Sequence, residues 1–513
     1  MAHDKVKTIN QAHFRIKAHC DIPGDTKLRS LWIEIPDYCH LQCPYCFANT
    51  CRNNPHLAND NLKVDEYLRL LNDFKESEGQ FLGIPGNGEP FHPSNRDLVM
   101  RILRHANFLG LRTTVFTTGE TLFWEMRSDR TYAENVRELP NFSIMEELVG
   151  LDVILLIKCN SLNRDVQDSL VAQPGYTDAR TMAMQWLMEK YSLNSDKENR
   201  RLGIVTSIMP ENQDEIVDLY RYAETNNLIF DCDTILPQGR GQSFIKPGHS
   251  LSDQECRAIY QTLDSISEEH LSTGGSYVGV ACDRIKHHLY IDICGNAYTC
   301  IGCVGRGQDL VLGNIRKQSL VEIWNNTIRV QMRDNLDKIV LGTCSYCENF
   351  QVSCWTCLGR SVERFEFKDG KIILHTRGCF NHRPDWNRWL LQCDRLTRTR
   401  LSEVPAAIRS QVRARIHQEG LELFWQELPE AMIKDSITSQ IPFERKDICF
   451  SDLNFPTRMV WDFTSVQQIE DIDEYLKALR TLLPRVLLCS LKLISEWGIA
   501  EGRDKAFAPP PWV

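Results

Sequence analysis

The sequence predicts an α/β protein: a partial (β/α)6 barrel of the TIM type, then a cysteine-rich module and a mostly helical extension. Three observations lead there. Between residues 29 and 245, short apolar runs alternate with longer amphipathic stretches, the pattern of βα units around a parallel sheet. These units number about six, short of the eight that close a barrel. The cysteines fall into two groups, Cys39–Cys51 and a denser set from Cys282 to Cys379.

The expected strands are Leu31–Ile35, Phe81–Ile84, Arg112–Thr117, Val153–Ile157, Gly203–Ile208 and Ile229–Ile235. The expected helices between them include Val64–Lys75, Asn95–Asn107, Ala179–Lys190 and Asn212–Asn226. Pro237–Gln242 and Lys246–Ser250 read as loops, with Ser250 or Ser252 capping the helix that follows. Residues 282–382 read as loop-rich, held by metals rather than by an apolar core. From Asp385 the chain reads as helical, ending in an extended Pro509–Val513 tail. The expected parts are an N-terminal extension (1–28), the barrel (29–245), a bridging helix and linker (246–281), the cysteine-rich domain (282–382) and the helical extension (383–513). There is no internal repeat.

A chain of 513 residues suggests two or three domains. The net charge of −9 argues against nucleic acid or an anionic membrane as partner. Arg395–Arg415, with Arg398, Arg400, Arg409 and Arg413, is a local exception that reads as a solvated helix face or a basic docking surface. The polar N-terminus does not read as a signal peptide. Runs such as Val153–Ile157 and Val486–Leu488 are too short to span a bilayer. The expected compartment is the cytoplasm, which keeps thiols reduced. The 20 cysteines are then expected as metal ligands or buried hydrophobes.

The first strand ends at Pro36, and Cys39-His-Leu-Gln-Cys43-Pro-Tyr-Cys46 follows at once. A loop at the carboxyl end of a barrel strand is where an active site belongs. Three thiolates from one loop can hold three irons of a cubane and leave the fourth open. A zinc knuckle is the alternative, with His40 or Cys51 as fourth ligand. The spacing resembles that of the radical S-adenosylmethionine (SAM) superfamily, in which the open iron chelates the methionine end of SAM. By that resemblance Tyr45 contacts adenine. Gly86-Asn87-Gly88-Glu89-Pro90 resembles the family's Gly-Gly-Glu-Pro loop, with Asn87 a departure, its glycines admitting SAM and Glu89 holding its ammonium. Lys158, Asn160 and Ser161 after the fourth strand, Thr117 and Thr118 at the third, and Thr206 and Ser207 on the fifth are expected either on the SAM ribose and carboxylate or as strand-end caps.

The second group resembles a SPASM domain, the auxiliary-cluster module of peptide-modifying and related radical SAM enzymes. It reads Cys282, then Gly295-x4-Cys300, then Cys344-x2-Cys347-x6-Cys354-x2-Cys357, then Cys379, with Leu312-Gly-Asn-Ile and Leu320–Trp324 also matching. A pair of zinc ribbons is the alternative. The resemblance gives Cys344, Cys347, Cys354 and Cys379 to an outer cluster, and Cys282, Cys300 and Cys357 to an inner one. The usual extra inner cysteine ahead of Cys282 is absent; Cys303 or Cys294 substitutes, or one iron is open. The remaining cysteines are expected as buried thiols, with a hydrogen-atom donor role as the alternative for Cys159 and Cys232 near strand ends.

The resemblance implies three [4Fe–4S] clusters, reductive cleavage of SAM to a 5′-deoxyadenosyl radical, and hydrogen abstraction from a peptide or protein side chain by a maturase of the oxidation or cross-linking type. It also implies an external electron donor such as flavodoxin or ferredoxin. A second reading is an epimerase or dehydrogenase of a sugar or aminocyclitol. A third is a non-catalytic iron–sulfur carrier or sensor, against which the Gly86–Pro90 loop counts. Ile301, where the sulfatase-maturing branch usually has Asp, counts against formylglycine formation.

Overall fold

The structure, a computed structural model, describes residues 27–48, 60–124, 131–132, 134, 142–196, 199–245, 250–266, 284–347, 350–351, 354–368 and 370–376. Cys51, Cys282, Cys379, the arginine run and the helical extension lie outside the described residues. Two compact units are present. The first runs through residue 339 and takes in 353–360 and 367–372; the second holds 340–352, 361–366 and the chain from 373.

The first unit is built on β1 (Ser30–Ile33), α1 (Val64–Glu76), β2 (Phe81–Ile84), α2 (Pro93–Phe108), β3 (Arg112–Thr117), α3 (Ser143–Gly150), β4 (Ile154–Lys158), α4 (Arg164–Val171), α5 (Tyr176–Glu189), β5 (Leu202–Ile208), α6 (Ile216–Thr225) and β6 (Ile229–Thr234). The order is β6-β5-β4-β3-β2-β1, each neighbour parallel. Ile154–Ile157 of β4 are all buried, because a parallel strand is covered on both faces and reads as an unbroken apolar run. The helices bury one stripe each: in α1 it is Tyr67, Leu70, Leu71 and Phe74, spaced to share a face.

The sheet does not stop at β1. Past α7 (Gly239–Phe244) and α8 (Asp253–Ile266), β7 (His288–Ile291) pairs in parallel with β1 from Ser30↔His288 to Ile33↔Ile291. β8 (Asn296–Tyr298) and β9 (Gly313–Asn314) follow antiparallel, making nine strands. The β7–β8 turn needs Gly295, whose φ is +84°. α9 (Leu320–Trp324) and α10 (Thr327–Asp334) follow in the chain. The second unit carries most of a three-stranded sheet in the order β10 (Val340–Gly342), β12 (Lys371–Thr376), β11 (Val362–Lys368).

β2 and β3 match the expected bounds, and the other strands differ from them by a residue or two. Two expectations need correction, and two helices add to those named. Pro237–Gln242 is not wholly loop, since α7 begins at Gly239. Residues 282–382 do have an apolar core: Leu310, Leu312, Leu320, Ile323, Met332, Leu336 and Ile339 are buried. α3 and α4, each one short amphipathic stretch, were not among the expected helices. Of the two candidate caps, Ser252 accepts from the Glu255 N–H at 3.2 Å while the Glu255 carboxylate takes the Ser252 N–H at 2.7 Å, a capping box. Among the described residues no helix is long and apolar enough to cross a membrane.

Candidate active site

The residues expected at the site stand at the carboxyl ends of the parallel strands. Cys39, Cys43 and Cys46 follow β1, and the loop that carries them is clamped on three sides. From the β2 side, Asn87 donates to the Ile35 carbonyl at 2.6 Å and accepts from the Ile35 N–H at 3.2 Å. Asn95 donates to the carbonyls of Pro36 and Glu89, both at 2.9 Å. Gly88 is held so close that a Cβ there would lie 2.3 Å from the Pro36 oxygen. The motif glycine is therefore required by loop-on-loop contact, and Asn87 spends its amide on the chain itself. From the helix side, Leu41 packs with Val171 and Tyr176, and Tyr45 with Leu170 and Met209. From α7, Arg240 donates to the Cys43 carbonyl and the Gly241 N–H to that of Cys46, each at 2.9 Å. This third clamp was hidden in a glycine-rich stretch that reads as loop.

A polar network meets the loop. Asn160 donates to the Tyr45 hydroxyl at 2.5 Å and accepts from the Ser207 N–H at 2.9 Å. The Lys158 ammonium donates to the Ser207 hydroxyl at 2.9 Å and stands 4.9 Å from the centre of the Tyr45 ring. Burial pulls the Lys158 pKa down, while Cys43 and Cys46 nearby push it up. Tyr45, Lys158, Asn160 and Ser207 are thus brought together. Ser161 is not: its hydroxyl is taken by Glu215, at 2.7 and 2.8 Å. Thr206 donates to the Cys159 carbonyl. The Cys159 thiol faces Arg180 at 2.7 Å, and Cys232 is buried beneath Tyr260, which donates to its carbonyl.

Glu89 ties the β2 loop to β3. Its Oε1 accepts from Thr117 at 2.6 Å, Thr121 at 2.7 Å and the Phe91 N–H at 3.1 Å. Its Oε2 accepts from the Thr118 N–H at 2.8 Å and keeps lone-pair capacity. Burial, reinforced by Glu120, raises its pKa. His40 Nε2 stands 2.5 Å from the Glu120 carboxylate.

The three thiols suit a cluster. Each keeps a little exposure, yet desolvation pushes Cys39 well up and Cys43 to about 11. Left bare, Cys39 and Cys43 stay protonated; a bound metal deprotonates its thiol ligands outright. Among the described residues no three His, Cys, Asp or Glu side chains are gathered as one ion requires. A cubane does not ask for that, since each thiolate takes a different iron.

In the cysteine-rich region Cys300 and Cys303 lie on one turn, the Cys303 N–H donating to the Cys300 carbonyl at 3.0 Å. That turn is clasped to the one after Cys357. A Cβ on Gly302 would lie 2.5 Å from Gly359, and Arg306 donates to the Leu358 carbonyl at 2.6 Å. Cys300 lies within electrostatic reach of the Cys357 thiol, which burial raises and Arg360 lowers. Cys294 sits elsewhere, in the β7–β8 turn, with Asp292, Asp60 and Glu34 as its charged neighbours. In the second unit Cys344 and Cys347 share a turn, the Cys347 N–H donating to the Cys344 carbonyl at 3.1 Å. Cys354 belongs to the first unit with Cys357.

A family model for SPASM, an iron–sulfur cluster-binding domain, matches residues 282–348. That match covers the first part of the second cysteine group, from Cys282 through Cys347. Three solved structures are similar to this chain. SuiB of Streptococcus suis, bound to S-adenosylmethionine, aligns over 64% of this chain and 72% of its own, at 17% identity and TM-score 0.46. The anSMEcpe structure with bound AdoMet and Cp18Cys peptide aligns over 63% and 87%, at 13% identity and TM-score 0.44. BtrN in complex with AdoMet and 2-DOIA aligns over 59% and 84%, at 13% identity and TM-score 0.28.

Proposed function

We propose that this enzyme holds a SAM-cleaving [4Fe–4S] cluster on Cys39, Cys43 and Cys46 and takes hydrogen from a peptide or protein side chain, in an oxidation or cross-linking reaction. The observation that carries the reading is the convergence of Tyr45, Lys158, Asn160 and Ser207 on the cysteine loop.

When bound, the cluster and SAM supply a 5′-deoxyadenosyl radical. The chain's own part is to bind and shield. Lys158 offers a cationic donor suited to a carboxylate. Glu89 Oε2 offers an acceptor suited to an ammonium. Those two charges match the two ends of an amino acid, and the Tyr45 ring offers a face to a base. Asn160 fixes that ring through its hydroxyl, so the face is set before anything binds. Arg240 and Gly241 hold the loop from the opposite side and keep the thiols in register.

Two further clusters are proposed in the SPASM region. Cys303, rather than Cys294, joins Cys300 and Cys357, because only Cys303 shares their clasped turns. The other cluster rests on the resemblance alone. So do the peptide class of the substrate, the flavodoxin or ferredoxin donor and the cytoplasmic location.

Reduced, reconstituted protein incubated anaerobically with SAM should form 5′-deoxyadenosine; none would turn the reading to an iron–sulfur carrier. A deuterated precursor peptide should then pass its label to 5′-deoxyadenosine. Label arriving instead from a sugar or aminocyclitol would favour the small-molecule reading.

A further inference from the structure

Arg329 lies on α10 and is 0% exposed, the bulkiest of the fully buried side chains. Its guanidinium donates to two carbonyls, those of Ile285 at 2.5 Å and His288 at 3.4 Å. Its Nε has no hydrogen-bond partner. The plane lies over the Trp324 ring at 4.2 Å. None of these contacts carries a negative charge. The carboxylate that acts on it, Asp334, is itself paired with Arg333 at 2.8 Å. Among the described residues no carboxylate forms an ion pair with this buried positive charge.

Such a charge is expensive. A guanidinium removed from water costs several kcal/mol unless an anion meets it, and arginine does not escape by losing its proton. Burial lowers its pKa only to about 9, so it is charged at neutral pH. Within electrostatic reach, besides Arg333 and Asp334 of its own helix, stand two cysteines, Cys300 and Cys303. The packing agrees: Thr299, next to Cys300, donates to the Met332 sulfur of α10 at 3.2 Å. A cubane on four thiolates is an anion in both redox states, and more so when reduced.

We infer that Arg329 is the buried counter-charge of the auxiliary cluster held by Cys300, Cys303 and Cys357, and that it raises that cluster's reduction potential. The inference rests on the proposed cluster at those cysteines. It makes the side chain costly in the empty protein and favourable in the loaded one. A merely structural arginine would help both.

The test uses the full chain, with Arg329→Met to remove the charge at similar bulk and Arg329→Lys to restore it. The signal to follow by paramagnetic resonance is the one that Cys300→Ser abolishes. In Arg329→Met its midpoint potential should move to more negative values, and Arg329→Lys should recover part of that shift. The chelator-stripped Arg329→Met chain should melt higher than the stripped parent, and its gain in melting temperature on loading should be smaller. An unchanged or raised potential in Arg329→Met, or a stripped variant that melts lower, would overturn the inference. If Cys300→Ser and Cys303→Ser both leave the iron content and every signal intact, the cluster reading itself has failed, and that outcome is read independently of Arg329.

Discussion

Cys39, Cys43 and Cys46 come from one short loop at the end of β1, whereas Cys300, Cys303 and Cys357 come from two distant turns clasped glycine to glycine. Around the first loop stand groups that can change partner: a lysine on a serine hydroxyl, a carboxylate with a lone pair to spare, a tyrosine ring face. Beside the second stands an arginine that cannot discharge, sealed under Trp324. Charge that can be re-bonded suits a ligand that comes and goes. Fixed buried charge suits a resident. The contrast fits the proposal of a SAM site at the first loop and a permanent cluster at the second.

The sharpest way to break the contrast is by ligand deletion. Cys43→Ala should remove one cubane of iron and bring 5′-deoxyadenosine formation to background. Cys357→Ala should remove a different cubane and leave SAM cleavage detectable. Iron assay and product chromatography read both, and equal loss of SAM cleavage would erase the distinction.

Next in size is the exchangeable lysine. Lys158→Met should weaken SAM binding by roughly 10–100-fold, as loss of a charge-assisted hydrogen bond of about 1.5–3 kcal/mol implies. Iron content should stay at the parent value, and calorimetry on the loaded protein measures the affinity. Unchanged affinity would remove Lys158 from the site.

Smaller again are the two glycine contacts. Gly88→Ala drives a methyl into the Pro36 carbonyl, and Gly302→Ala drives one into Gly359. Each should cost about 1–3 kcal/mol as overpacking does. Gly88→Ala should chiefly impair SAM cleavage, and Gly302→Ala should chiefly lower auxiliary iron. Thermal melts with iron counts decide whether the damage divides that way.

The smallest effect is on pH dependence, at the seam between the two regions. Glu34 accepts from the Tyr290 hydroxyl at 2.7 Å and the Ile293 N–H at 3.0 Å. Burial nonetheless pushes its pKa up to about 7. The folded state therefore holds this proton more tightly than the unfolded chain, whose value is about 4.3. Its stabilising share is full below about 4.3 and is lost as pH rises through about 7. Glu34→Gln should flatten the fall in melting temperature across that window; an identical slope would contradict it.

The barrel was legible because buried parallel strands and amphipathic helices leave strong periodic patterns. Even so, β1 was expected to run to Ile35. It stops at Ile33, because Asn87 takes the Ile35 backbone, a contact far along the chain that periodicity does not carry. α7 was missed because its two glycines read as loop; a Cβ on Gly239 would meet the Phe47 carbonyl at 2.4 Å. The site was legible as positions at strand ends, but not as partners. Lys158 and Ser161 are three residues apart with equal claims on sequence; the fold gives one to Ser207 beside Tyr45 and the other to Glu215. Arg329 went unnoticed because an arginine on a short amphipathic helix usually faces water.

The pairing of β7 with β1 bears on how the protein is made. β1 is first in the sheet by sequence but lies inside it, between β2 and β7. During synthesis the chain emerges from its N-terminal end, so one edge of β1 stays open until His288–Ile291 have been translated. Through that interval the strand bearing the cysteine loop is a bare edge, the kind of surface that recruits other strands. Truncation ahead of His288 would make that exposure permanent, so an isolated barrel ending there should aggregate even though every one of its own βα units is complete.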